Sequence, residues 1–134
     1  MSKEIAEQWL NELANTANSK DLSAHMALIS PRISLHGVPG FETIGFDDWF
    51  RQCQHEFENN ILKNVHYAGF KLVAGTDERV MFKTFETVEA NDGTVNAQGV
   101  EILLEKEADG IWRMVQQRVL PDDESVHDKL LVQT

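Results

Sequence analysis

Apolar residues recur with two different periods along this chain, and the change of period divides it. From Lys3 to Asn18 they fall at helical spacing: Ile5, Ala6, Trp9, Leu13 and Ala17 share one face. Asn18, Ser19 and Lys20 end that helix, and Asp21 is a natural N-cap for a second, short one, DLSAHMALIS. Leu22, Met26 and Ile29 form its buried face, with His25 at the edge of it, and Pro31 stops it. ISLH then alternates, so Ile33 and Leu35 point inward while Ser34 and His36 point away. Gly37 to Gly45 read as a loop. A third helix is predicted from about Asp47 to Leu62, with Trp49, Phe50, Cys53, Phe57 and Ile61 as its apolar stripe and His55 on the solvated side.

From Val65 the period becomes two. VHYAGFKLVA, RVMFKTFETVEA, TVNAQGVEILLEKE and IWRMVQQRVL read as four strands in a meander. GTDE, NDG and ADG are the turns between them, with Gly93 supplying a positive φ. Pro121 ends the last strand, and PDDESVHDKLLVQT reads as an acidic C-terminal tail over 123–134. The layout is helix, helix, strand, helix and four strands. It predicts an α+β architecture, with three N-terminal helices packed on the concave face of a curved antiparallel sheet.

Composition narrows the class. At 134 residues, one domain over 1–134 is expected, its core spanning about 3–122. Such a domain buries roughly 68–70% of the surface of its unfolded chain. The one cysteine, Cys53, precludes an intrachain disulfide and a multi-cysteine zinc site, and its place in an apolar stripe marks it as a core thiol. The histidines are scattered, so no metal and no cofactor is expected. No apolar run approaches the ~20 residues of a membrane span, and the N-terminus lacks a signal core, so a cytoplasmic protein is expected. A net charge of −10 repels a phosphate backbone and argues against nucleic acid.

The opening helix into SKDLSAHMALIS, the strand–loop–helix HGVPGFETIGFDDWF and the closing DGIWRMVQQRV together resemble the nuclear-transport-factor-two-like superfamily. Within it, the chain looks most like the SnoaL-like and ketosteroid-isomerase-like branch, over nearly its whole length. The resemblance implies a cone-shaped, cystatin-like fold whose long helix and bent sheet enclose a pocket. It does not imply one reaction, because such folds host isomerases, cyclases, dehydratases and non-enzymes. The isomerase residues are not matched. Counting from Asp21 and Gly110 puts Leu13 at the oxyanion tyrosine, Gly37 at the general base and Ile102 at the second acid. Without base and oxyanion donor there is no enolisation, which excludes ketosteroid isomerisation.

The NDG hairpin sets a register in which Glu86 faces Gln98, Thr84 faces Val100 and Phe82 faces Ile102. The resemblance adds Gln117 on the last strand and His66, Ala68, Phe70 and Leu72 on the first meander strand to this inner face. With Trp49 from the third helix, these residues outline an apolar pocket for a small molecule, with Glu86, Gln98, Gln117, His66 and Thr84 as its polar points. A carboxylate among Phe, Val and Ile has its charged form disfavoured, so Glu86, with His66, is the candidate for acid–base chemistry. A non-catalytic binding or accessory module remains the alternative. On the outer face, Met81, Phe85, Leu103, Trp112 and Met114 form an apolar patch, expected to be a homodimer interface.

Overall fold

A computed structural model describes residues 1–128 apart from Pro39 and Phe41. The elements run α1 (Ser2–Asn18), α2 (Leu22–Met26), β1 (Ile29–His36), α3 (Phe46–Glu58), β2 (Leu62–Gly75), β3 (Arg79–Ala90), β4 (Val95–Lys106), β5 (Trp112–Val119) and α4 (Asp122–His127). The strands form one curved sheet in the order β1-β5-β4-β3-β2. β1 runs parallel to β5, and the remaining pairs are antiparallel.

Asp21 caps α2 through its side chain, which accepts from Ala24 N at 3.1 Å. That helix is shorter than its pattern suggests, because Ile29, Ser30 and Pro31 already belong to β1. Proline is tolerated there because β1 is an edge strand. α3 also stops early. Asn60 takes a left-handed φ of +54° and turns the chain so that Leu62 opens β2.

The helices bury their apolar stripes on the inner face of the sheet. Ala6, Trp9, Leu10 and Leu13 of α1 meet Val80, Phe82, Val100, Ile102 and Leu104 in one cluster. The Trp9 indole N–H donates to Leu28 O at 3.3 Å, which satisfies its polar end inside the core. A second cluster joins Ala17, Phe57, Leu62 and Val65. His25 lies buried beside it, edge-on to Phe57 at 5.4 Å between ring centroids. Its Nδ1 is 2.9 Å from Thr16 Oγ1. Burial pushes its pKa down to about 4, so His25 is a neutral core residue near neutral pH.

The outer face departs from expectation in two ways. Met114 and Trp112 do not belong to it. Leu103 pairs with Gln116 but Leu104 pairs with Met114, so one extra residue of β5 is inserted between these rungs. That bulge turns Met114 inward, where it is fully buried, and Trp112 packs beside it. The segment expected as a tail from 123 is helical over Asp122–His127; residues 129–134 lie outside the described residues.

α4 docks on the outer face at β4. Gly99, buried there, has room for no side chain, since a Cβ would collide with the Ser125 hydroxyl and press on Leu120. Ion pairs hold the helix down. Asp128 meets Lys83 at 2.7 Å and Lys71 at 2.5 Å. Glu124 meets Arg118 at 2.9 Å and Lys83 at 3.2 Å. Lys71 and Lys83 hold the Asp128 carboxyl down at about 2.

Candidate functional site

Three strands bring the polar centre together. Glu86 of β3 opposes Gln98 of β4 and Tyr67 of β2. Directly opposed residues in an antiparallel ladder share a face, so all three lie on the inner side of the sheet. The Tyr67 hydroxyl donates to Glu86 Oε2 at 2.8 Å, and the Gln98 side chain, opposite in register, also favours the charged carboxylate. Burial raises the Glu86 pKa above the ordinary carboxylate value. Tyr67 and Gln98 oppose that rise, while the charge of Glu56 on α3 adds to it. The Tyr67 phenol is pushed well up, chiefly by burial and then by the adjoining Glu86 charge. The result is a carboxyl with raised proton affinity, fixed in position by a phenol and an amide.

α3 supplies the opposite wall. Trp49, half-buried, stands on this wall with Cys53, and burial together with Glu56 pushes that thiol up to about 12. Cys53 is therefore a neutral thiol near physiological pH and no nucleophile.

The other predicted site residues divide sharply. The expected hairpin register holds, with Glu86 opposite Gln98, Thr84 opposite Val100 and Phe82 opposite Ile102. Phe82, Val100 and Ile102 are fully buried core against α1, so their surface is already spent on packing. Thr84 is buried too, and its hydroxyl donates to Gly69 O at 2.6 Å. Gln117 is buried opposite Ile102.

His66 is placed on the wrong side by sequence reasoning. It is exposed and lies across the strand from Glu86, with its Nδ1 3.4 Å from the Asn64 amide nitrogen. The cause is Gly69. Tyr67 opposes Glu86 and Ala68 opposes Phe85, but Phe70 already opposes Thr84, so Gly69 is an extra residue, with φ of +76°. Beyond the bulge, Phe70 and Leu72 share the inner face with Thr84 and Phe82; before it, the inner residue is Tyr67. Tyr67 is thus the partner of Glu86 that the sequence pattern did not reveal. A glycine inside an otherwise apolar strand was the available signal. His36 lies on the outer side of β1, where its Nε2 is 3.0 Å from Ser34 Oγ and Arg118 is its neighbour in register. Among the described residues, no three His, Cys, Asp or Glu side chains are grouped to hold a metal ion.

No protein-family model matches the chain, and no curated protein matches it. Solved structures do. A nuclear-transport-factor-two-like protein of Shewanella oneidensis superposes with a TM-score of 0.73 at 14% identity, covering 89% of this chain and 98% of that one. A cystatin-like protein of Nostoc punctiforme gives 0.66 at 10% identity, over 87% and 88%. A provisionally assigned scytalone dehydratase of Novosphingobium aromaticivorans gives 0.69 at 9% identity, over 87% and 81%. The chain has the nuclear-transport-factor-two-like, cystatin-like fold. At these identities the likeness extends to the fold and no further.

Proposed function

We propose that this protein binds a small, largely apolar molecule within its cone, and that Glu86 acts on it as an acid or base. The Tyr67–Glu86 hydrogen bond at 2.8 Å carries this reading, because it positions a carboxyl whose charged form is disfavoured by burial. A carboxyl poised closer to neutrality both takes and gives a proton more readily near physiological pH. Isomerisation, cyclisation and dehydration all need such a transfer, and the neighbour from Novosphingobium bears the name of the last. His66 has no part in this chemistry. The alternative, a non-catalytic binding module, draws support from the fact that the hydrogen bond to Glu86 comes from the protein's own Tyr67 side chain.

Carboxyl-carbon NMR titration tests the proposal. Glu86 is expected to titrate above the ordinary glutamate value, and to move higher still in Tyr67→Phe, which removes a bond to the charged form. An ordinary value in both proteins removes the basis for acid–base chemistry. A soluble, cytoplasmic homodimer belongs to the same proposal. Its interface would lie on the outer face around the half-buried Met81 and Phe85, since Leu103 is already buried in the single chain, and sedimentation of the protein as a monomer at micromolar concentration would rule it out.

A further inference from the structure

A basic row crosses the outer face of the sheet. Lys83 stands on β3 between Met81 and Phe85, at alternate positions and therefore on one face with them. Lys71 of β2 and Glu101 of β4 flank it in register, Arg118 of β5 opposes Glu101, and His36 of β1 ends the row. Lys71, Lys83 and Arg118 thus set three cations against the one carboxylate of Glu101. Beside the row, Gly99 leaves the β4 backbone bare opposite Phe85, and Ser125 of α4 rests on it.

α4 answers this surface with charge and little else. Glu124 and Asp128, four residues apart and so on one side of the helix, bind Arg118, Lys83 and Lys71. Ser125 is the helix's one buried residue. Its one apolar residue, Val126, leaves Met81 and Phe85 half-buried. Six residues are too few to hold a helix unaided, and ion pairs at a surface contribute little and are screened by salt. α4 is a weak occupant of a trough that offers more than the helix uses.

We infer that this trough is a docking site for an acidic helical segment of a partner protein, and that α4 is the chain's own stand-in for it. Such a segment sets two carboxylates, four residues apart, on Lys71, Lys83 and Arg118, a small residue over Gly99, and apolar side chains on Met81 and Phe85. Charge complementarity selects this occupant. A second copy is disfavoured once α4 is lifted, because two such faces would meet cation to cation. A nucleic acid is disfavoured because its charge extends past the trough over a chain of net charge −10, whereas that of a short helix ends within it. The inference is independent of the reading of Glu86, which lies on the other face. The homodimer uses Met81 and Phe85 with α4 in place, so the two occupants exclude each other.

The probe is a synthetic peptide of about 15 residues, long enough to be helical, that carries DDESVHD in an alanine frame with a leucine on the same side at either end. It is titrated into the full-length, amide-labelled chain at low salt. Glu124→Gln/Asp128→Asn loosens α4 and keeps the basic row. The peptide is expected to shift the amides of Lys83, Gly99 and Arg118, and to bind this double variant about tenfold more tightly than wild type, whose tethered α4 competes. Lys83→Gln and Arg118→Gln, each added to the double variant, are expected to lose that gain; either serves if the other fails to fold. Glu12→Gln/Glu58→Gln makes the same change of net charge at exposed sites on α1 and α3, and is expected to bind as wild type does. Equal affinity for wild type and the double variant would show that α4 is no competitor and overturn the inference. So would equal binding of a peptide with its acids replaced by amides, shifts confined to other parts of the chain, or no binding up to millimolar peptide. Sedimentation of the free wild type reports on the homodimer separately.

Discussion

Acidification should destabilise this protein above the pH range in which ordinary carboxylates protonate, and His25 is the reason. The imidazole is buried between α1, α2 and α3, against Phe57 and Thr16, and its pKa falls from an unfolded value of 6.5 to about 4. Below 6.5 the unfolded chain takes up a proton at this site that the folded protein refuses. Stability is therefore fully present above pH 6.5, falls as pH drops, and levels off below the folded value. At 1.36 kcal/mol per pH unit, the interval from 6.5 to 4 amounts to about 3 kcal/mol. That is a substantial part of the ~5–15 kcal/mol that holds a domain together. Glu86 acts in the opposite direction, since its folded pKa is raised; protonating it at low pH favours the folded state and partly masks the loss. The measurement is urea unfolding at intervals from pH 7.5 to 4, on wild type, His25→Gln and Glu86→Gln. The wild-type curve should fall through this range, His25→Gln should be flatter, and Glu86→Gln steeper. A His25→Gln protein as pH-sensitive as wild type would show that His25 is not protonated on unfolding in this window.

Gly99→Ala should destabilise by about 1–3 kcal/mol, the cost of overpacking a tight contact, because the new methyl group meets Ser125; a urea midpoint equal to wild type would mean that α4 does not rest on β4. Asn18→Ala should lose about 1 kcal/mol, since two hydrogen bonds are removed but Val65 can turn to water. Faster amide exchange at Val65 is the local sign to look for. Trp9→Ala should cost about 3–5 kcal/mol, and Trp49→Ala clearly less, because Trp49 keeps part of its surface in solvent; equal losses in thermal unfolding would contradict the assigned helix faces.

The order of elements and the β3–β4 register were legible because each rests on local chemistry. Helical and strand periods announce themselves in short windows, and Asn91-Asp92-Gly93 leaves the chain one tight way to reverse. What escaped was set by single residues acting over a distance. The bulges at Gly69 and in β5 leave the alternation intact on either side and change only which side is which, so a pattern of apolar residues cannot register them. His66 and Tyr67 exchanged roles for that reason, as did Met114. α4 escaped because its six residues, DDESVH, carry no apolar stripe. It is held by Arg118 at the end of β5, by Lys71 and Lys83, which precede it in the chain by strands' lengths, and by a glycine whose purpose shows only when the helix is seen above it.

The extra residue at Gly69 works on β2 much as a frameshift works on a message. From Asn64 up to that glycine, odd-numbered positions face the cone; from Phe70 to Leu72, even-numbered ones do. Moving that one insertion a few rungs along the strand would bring His66 or Ala68 inside and send Tyr67 out, with every helix and every other strand untouched. The chemistry of the cone can thus be exchanged by relocating one residue rather than replacing several. For the same reason, site residues cannot be transferred between cones of this fold by counting along β2 until the insertion has been located in each.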